Sequence, residues 1–215
     1  MSILNLDALR SASLNREPFD FLVVPSFIAP EALERINTDY PAIDRPRNYR
    51  LDELECGAGF ERFVEELSGP DFRAAIGEKF GVDLEGKPTA VTVRGRCEKN
   101  DGNIHTDSKT KIITVLVYFN QAWPHEGGRL RLLRSADNIE DYAEEVVPAD
   151  GTLLAFRRCD HSYHGHKPYE GQRRMVQLSW VESKRVGNYR DKRKKFIWKL
   201  KRKLGISSGG RLRTN

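Results

Sequence analysis

His105 and Asp107 stand two apart in "NIHTDSKTKIITVLVYFN" (103–120), directly ahead of an apolar stretch. In an extended chain residues i and i+2 point to the same side, so an imidazole and a carboxylate at this spacing can converge on one cation. Two donors leave a metal under-held, and the chain offers four downstream histidines: His125, His161, His164 and His166. Three of these fall in "FRRCDHSYHGHKPYEGQRR" (156–174), just after the apolar run "GTLLAF". Two imidazoles and one carboxylate on one side of a metal, with positions left open, suit non-haem Fe(II) chemistry. An exposed polar loop explains a bare His-x-Asp equally well, and the spacing alone leaves the third donor open.

The elements that would position these residues change character along the chain. "FDFLVVPSFIAP" (19–30) has strand composition, and "PEALERINTDY" follows with Pro30 at a first helical position and Ala32, Leu33 and Ile36 at helical spacing. "GFERFVEELSG" (59–69) and "PDFRAAIGEKFG" (70–81) predict two further helices, started by Pro70 and stopped by Gly69 and Gly81. After Pro88 the runs 89–96, 111–119, 128–135, 151–158 and 174–181 alternate or are β-branched, with Gly127-Gly128 and Asp150-Gly151 as turns. This predicts an α+β fold, a jelly roll buttressed by N-terminal helices. In such a barrel a histidine after a late strand can lie beside a His-x-Asp placed before an early one.

Several motifs in order resemble the Fe(II)- and 2-oxoglutarate-dependent dioxygenases, in particular their prolyl-4-hydroxylase-like branch. After His-x-Asp come Lys111, Thr114, Tyr118, Phe119 and Asn120, then Gly127-Gly128 and "RLRLL". Pro148, Gly151, Leu153 or Leu154, and Phe156 match a later motif, and the eighth residue after Phe156 is His164. Gly171 and Arg173 match a closing Gly-x-Arg. The resemblance implies a double-stranded β-helix holding Fe(II) through His105, Asp107 and His164. It implies 2-oxoglutarate as cosubstrate, with Arg173 and Tyr118 on its distal carboxylate, Thr114 assisting, and ascorbate as a stimulant. The implied reaction spends O2 to hydroxylate an unactivated C–H bond and releases succinate and CO2. A prolyl hydroxylase acting on protein and a non-catalytic jelly-roll binding module are the alternatives. Arg174 rivals Arg173, since one residue's shift exchanges strand faces; Arg173 leaves Val176 and Leu178 on the packed side. Where the family often carries a tyrosine ahead of His-x-Asp, this chain has Arg94 and Arg96, which leaves a cosubstrate or anionic-substrate contact there unassigned.

Composition bounds the rest. The 215 residues are 39% hydrophobic and 31% charged, within the range of folded chains with a real core. No apolar run approaches the roughly 18 residues that span a bilayer, and Asp7 and Arg10 interrupt any export signal. Cys56, Cys97 and Cys159 form no CxxC pair, which predicts reduced thiols and a cytoplasmic protein. Residues 184–215 hold 13 Lys+Arg against the single acid Asp191, a net of +12, so the rest carries 5 − 12 = −7. An acidic body gives nucleic acid no groove. A catalytic domain over 1–183 and a separate basic tail over 184–215 are expected. Within the tail, Phe196, Ile197, Leu200 and Leu204 share one helical face, so 190–204 either docks peripherally on an anionic membrane or packs on its own barrel.

Overall fold

The computed structural model describes residues 2–182; the basic tail and its amphipathic face lie outside the described residues. Four α-helices lie in the N-terminal part, interleaved with the first two strands: α1 (Leu6–Ser11), α2 (Pro30–Thr38), α3 (Ala58–Leu67) and α4 (Pro70–Phe80). Pro30 and Pro70 open α2 and α4, and Gly81 ends α4 in the left-handed conformation at φ 61°. The sequence pattern missed α1, a six-residue helix capped by the Asn5 side chain, which accepts from Ala8 N at 2.9 Å. It is too short to show a hydrophobic period.

Nine strands follow two arrangements. A six-stranded sheet runs in the order β1 (Phe21–Val24), β7 (Leu153–Arg157), β4 (Lys111–Tyr118), β9 (Gly171–Val181), β3 (Thr89–Cys97), β2 (Tyr49–Arg50). A three-stranded sheet is ordered β6 (Tyr142–Val146), β5 (Leu130–Leu133), β8 (His164–Gly165). All named pairings are antiparallel, and the two sheets face each other as a jelly roll. Alternation splits the large sheet into two chemistries. Val93, Val115, Val117, Val176, Leu178 and Trp180 face the helices and join Phe60, Phe63, Phe72 and Ile76 in one core. Leu116, Tyr118, Leu154, Phe156 and Met175 face inward and join Leu130 and Leu132 of the small sheet. Burying each large apolar side chain contributes about 1.5–3 kcal/mol, so the helix-side cluster supplies most of the scaffold's stability.

The strands read from sequence are present; β2, β6 and β8 were not read. β6 is "YAEEV", whose glutamates disguise it; Glu145 lies directly opposite Arg131 and bonds its Nε at 2.6 Å. β8 has only two residues and no period to read. Asp150 and Gly151 both take positive φ (55° and 67°), the pair of left-handed residues that the Asp-Gly signal specifies.

Candidate active site

β8 and the segment before β4 bring the two histidines together. His105 N bonds His164 O at 3.0 Å and His164 N bonds His105 O at 3.0 Å, an isolated antiparallel bridge that sets His105 beside the edge strand β8. The two rings lie 4.3 Å apart between centroids. His105 Nδ1 sits 2.8 Å from Asn103 O, and His164 Nδ1 2.9 Å from Ser162 O. A carbonyl only accepts, so each Nδ1 carries the hydrogen and each Nε2 offers its lone pair. One ligand atom from each of His105, Asp107 and His164 lies within 4.8 Å of the others. Among the described residues this is the one such cluster of His, Cys, Asp and Glu. Its donors, two neutral imidazoles and a carboxylate, fit a divalent transition metal.

The carboxylate is held from both sides. Lys111 Nζ donates to Asp107 Oδ1 at 2.7 Å, and Thr114 Oγ1 donates to Asp107 Oδ2 at 2.6 Å. Since the Thr114 hydrogen is spent on Asp107, Ser179 Oγ, 3.2 Å away, is the donor to Thr114. Burial alone would raise the Asp107 pKa; Lys111 and then His164 outweigh it and hold the group below the usual carboxylate range. Thr114, expected beside the cosubstrate, is thus engaged with the acidic member of the cluster. The sequence placed Lys111 in a motif without giving it this partner.

Burial, reinforced by neighbouring His105, pushes His164 down to about 4. Burial and then the Arg173 charge push His166 to about 4 as well. Both values lie below the ordinary 6.5, so the unfolded chain binds protons that the native state refuses. The sign is therefore a loss of stability as pH falls from about 6.5 towards about 4, with each residue contributing on the order of 3 kcal/mol when fully developed. Urea midpoints of the metal-free protein should fall across that window, and His166→Gln should flatten the fall. A midpoint constant through the window contradicts the argument.

The far end of the barrel interior holds a buried cation, Arg173. Tyr118 follows Thr114 on the same face of β4, about 13 Å further along the strand. Its phenol is buried and pushed up by that burial, with the charge and proximity of the Arg173 side chain opposing, and its oxygen makes no hydrogen bond of good geometry. Arg173 is 2% exposed, with its Nε bonded to Gly128 O at 2.8 Å and its Cζ 5.3 Å from the Tyr118 ring centre. Its Nη2 is buried with no partner. An unpaired guanidinium nitrogen beside an unpaired phenol fits a carboxylate arriving between them. Arg174 points the other way, with Nη1 3.3 Å from Asn37 O and its Cζ 5.1 Å from the Tyr40 ring centre. His125 is exposed against Trp123 and Tyr169, and His161 is exposed. His166 is buried towards Arg173 without joining the ligand cluster; the left-handed Gly102 (φ 86°) admits its ring where a Cβ would collide.

Residues 95–182 match the family model described as the 2OG-Fe(II) oxygenase superfamily. No curated protein matches the chain in sequence. Among solved structures, the chain is similar to a prolyl-4-hydroxylase from Pseudomonas putida at TM-score 0.51 and 16% identity, over 82% of this chain and 91% of that one. It is similar also to HygX from Streptomyces hygroscopicus, solved with nickel and 2-oxoglutarate bound, at TM-score 0.53 and 14% identity, over 76% and 82% of the two chains. At these identities the likeness concerns the fold. No helix among the described residues is long and apolar enough to cross a membrane.

Proposed function

From the match of residues 95–182 to the family model described as the 2OG-Fe(II) oxygenase superfamily, we propose that the chain is an Fe(II)- and 2-oxoglutarate-dependent dioxygenase that hydroxylates an unactivated C–H bond. The observation that carries this is the pairing, inside one barrel, of the His105–Asp107–His164 cluster with the unpaired Arg173 and Tyr118 groups. When bound, Fe(II) supplies the redox chemistry that couples 2-oxoglutarate decarboxylation to C–H hydroxylation, with succinate and CO2 released.

The chain's own residues set the conditions. Asn103 and Ser162 carbonyls aim both Nε2 atoms at the metal position, and Lys111 and Thr114 fix the carboxylate plane. Arg173 and Tyr118 would hold the distal carboxylate of the cosubstrate, leaving its 2-oxo acid end for the cluster. The Phe156 ring, 4.8 Å from the His164 ring, and Leu116 and Leu154 give that end of the barrel interior an apolar lining, which disfavours water there. A non-catalytic binding module has no use for a complete ligand set facing a buried arginine whose Nη2 has no partner, so the enzymatic reading is the stronger.

The test is succinate release by the full-length chain with Fe(II), ascorbate and 2-oxoglutarate, across amino acids, proline-containing peptides, sugars and glycans. Substrate-dependent succinate above the uncoupled background is expected from one class. Absence of both coupled and uncoupled 2-oxoglutarate decarboxylation would refute the proposal.

A further inference from the structure

The inner face of the large sheet is chemically lopsided. Register aligns one row across five strands: Arg50 opposite Thr92, Thr92 opposite Gln177, Gln177 opposite Leu116, and Leu116 opposite Leu154. Residues directly opposite share a face, so the row passes from guanidinium to hydrocarbon. The neighbouring row sets Arg94 opposite Met175 and Met175 opposite Tyr118; the row on the other side sets Thr114 opposite Ser179, next to Asp107. Leu116 and Leu154 are buried, whereas Arg50, Thr92, Arg94 and Gln177 are half-buried. The β2–β3 end of this face is therefore the more exposed one, and Arg50, Thr92 and Arg94 stand between it and the buried rows that lead to the ligand cluster.

Three polar atoms on this wall are buried without a partner: Arg50 Nε, Thr92 Oγ1 and Arg94 Nε. Each guanidinium is already oriented by one aspartate, Arg50 through Nη2 to Asp52 at 3.0 Å and Arg94 through Nη2 to Asp101 at 2.8 Å. Arg94 Nη2 also lies 3.4 Å from Pro46 O. The aspartates fix the planes and leave the Nε–H groups unused, with a hydroxyl between them in the pairing pattern. Two guanidinium N–H donors and one hydroxyl favour a charged acceptor, because charge-assisted bonds are the shorter and stronger ones.

Resting on the hydroxylase reading above, we infer that Arg50, Thr92 and Arg94 form a subsite for an oxyanion of the substrate, a carboxylate or a phosphate, beside the metal cluster. The cosubstrate's distal carboxylate has its own partner in Arg173, so this second cationic set recognises the molecule to be hydroxylated. The acceptors of choice are acidic metabolites or phosphorylated compounds rather than neutral ones.

The Nε–H groups can be read directly. We would label the full chain with 15N, load it with Zn(II), saturate it with 2-oxoglutarate, and follow arginine Hε–Nε signals. Arg50→Lys and Arg94→Lys assign the two resonances. The probes are acetate, inorganic phosphate and, as a neutral acceptor, acetamide. The expected result is a saturable shift of both signals with one oxyanion and none with acetamide. The tighter of acetate and phosphate tells whether the natural group is a carboxylate or a phosphate. Thr92→Val should weaken that binding roughly ten- to a hundredfold, the loss of one hydrogen bond to a charged group. Unmoved signals, a linear drift shared with exposed Arg96, or an equal response to acetamide would overturn the subsite. So would shifts already saturated by 2-oxoglutarate, which would assign the pair to the cosubstrate. Calorimetry of Zn(II) and 2-oxoglutarate on the same sample tests the parent reading separately, since its failure leaves the arginine response to be read on its own.

Discussion

Replacing His164 with alanine is expected to weaken Fe(II) binding by roughly a hundredfold or more and to abolish turnover. Losing a group that merely orients a ligand costs about 10–100-fold in metal affinity, and here the ligand itself is lost. The fold should survive, because the bridge between His105 and His164 is made by backbone N and O atoms. Calorimetry on anaerobic protein reads the affinity, and near-ultraviolet circular dichroism checks the packing. His161→Ala and His166→Ala should keep iron stoichiometry, since His161 is exposed and His166 lies outside the cluster. Unchanged affinity in His164→Ala would refute the ligand assignment, and an equal loss in either neighbour would relocate the third ligand.

Arg173→Ala should raise the KM for 2-oxoglutarate by about 30-fold or more. Truncating one member of a buried, hydrogen-bonded charge pair costs about 2–5 kcal/mol, because the other charge stays in a dry site. Part of the loss is structural, since Arg173 Nε also holds Gly128 O. Arg173→Lys separates the two contributions: it keeps the charge and loses the planar fork, so it should fall between wild type and alanine. Arg174→Ala should leave the KM unchanged, since its guanidinium faces Asn37 and Tyr40 on the helix side. The decarboxylation of 2-oxoglutarate without substrate supplies the measurement. A KM that rises in Arg174→Ala and holds in Arg173→Ala would put the anchor on the opposite strand face.

The two arginines illustrate what a sequence discloses and what it withholds. Val176 and Leu178 fix the packed face of β9 by alternation, and Arg173 then falls inside by parity. Strand alternation is local, so the inward face of β9 was legible. His105 and Asp107 were legible for the same reason. His164 was not, because no local rule distinguishes it from His161 or His166; ordered motifs selected it. The contacts of Thr114 and Lys111 were also hidden, since they depend on how the 107–111 turn folds back onto β4. The wall of Arg50, Thr92 and Arg94 required register between strands distant in sequence, and β2 is only two residues long. The acidic strand β6 was disguised by glutamates whose partners lie on β5.

His105 and His164 are 164 − 105 = 59 residues apart, yet each supplies the backbone partner of the other. An unfolded chain can offer His105 and Asp107 together, but it meets the third donor only by closing that long loop. Whatever ion occupies the cluster is therefore thermodynamically linked to the closed barrel. Free metal at a hundred times its dissociation constant would stabilise the fold by about 2.7 kcal/mol. An ion bound there would clasp the His105 segment to β8 at the edge of the small sheet, and on the proposed reading the supply of iron would shift the folding equilibrium as well as the activity.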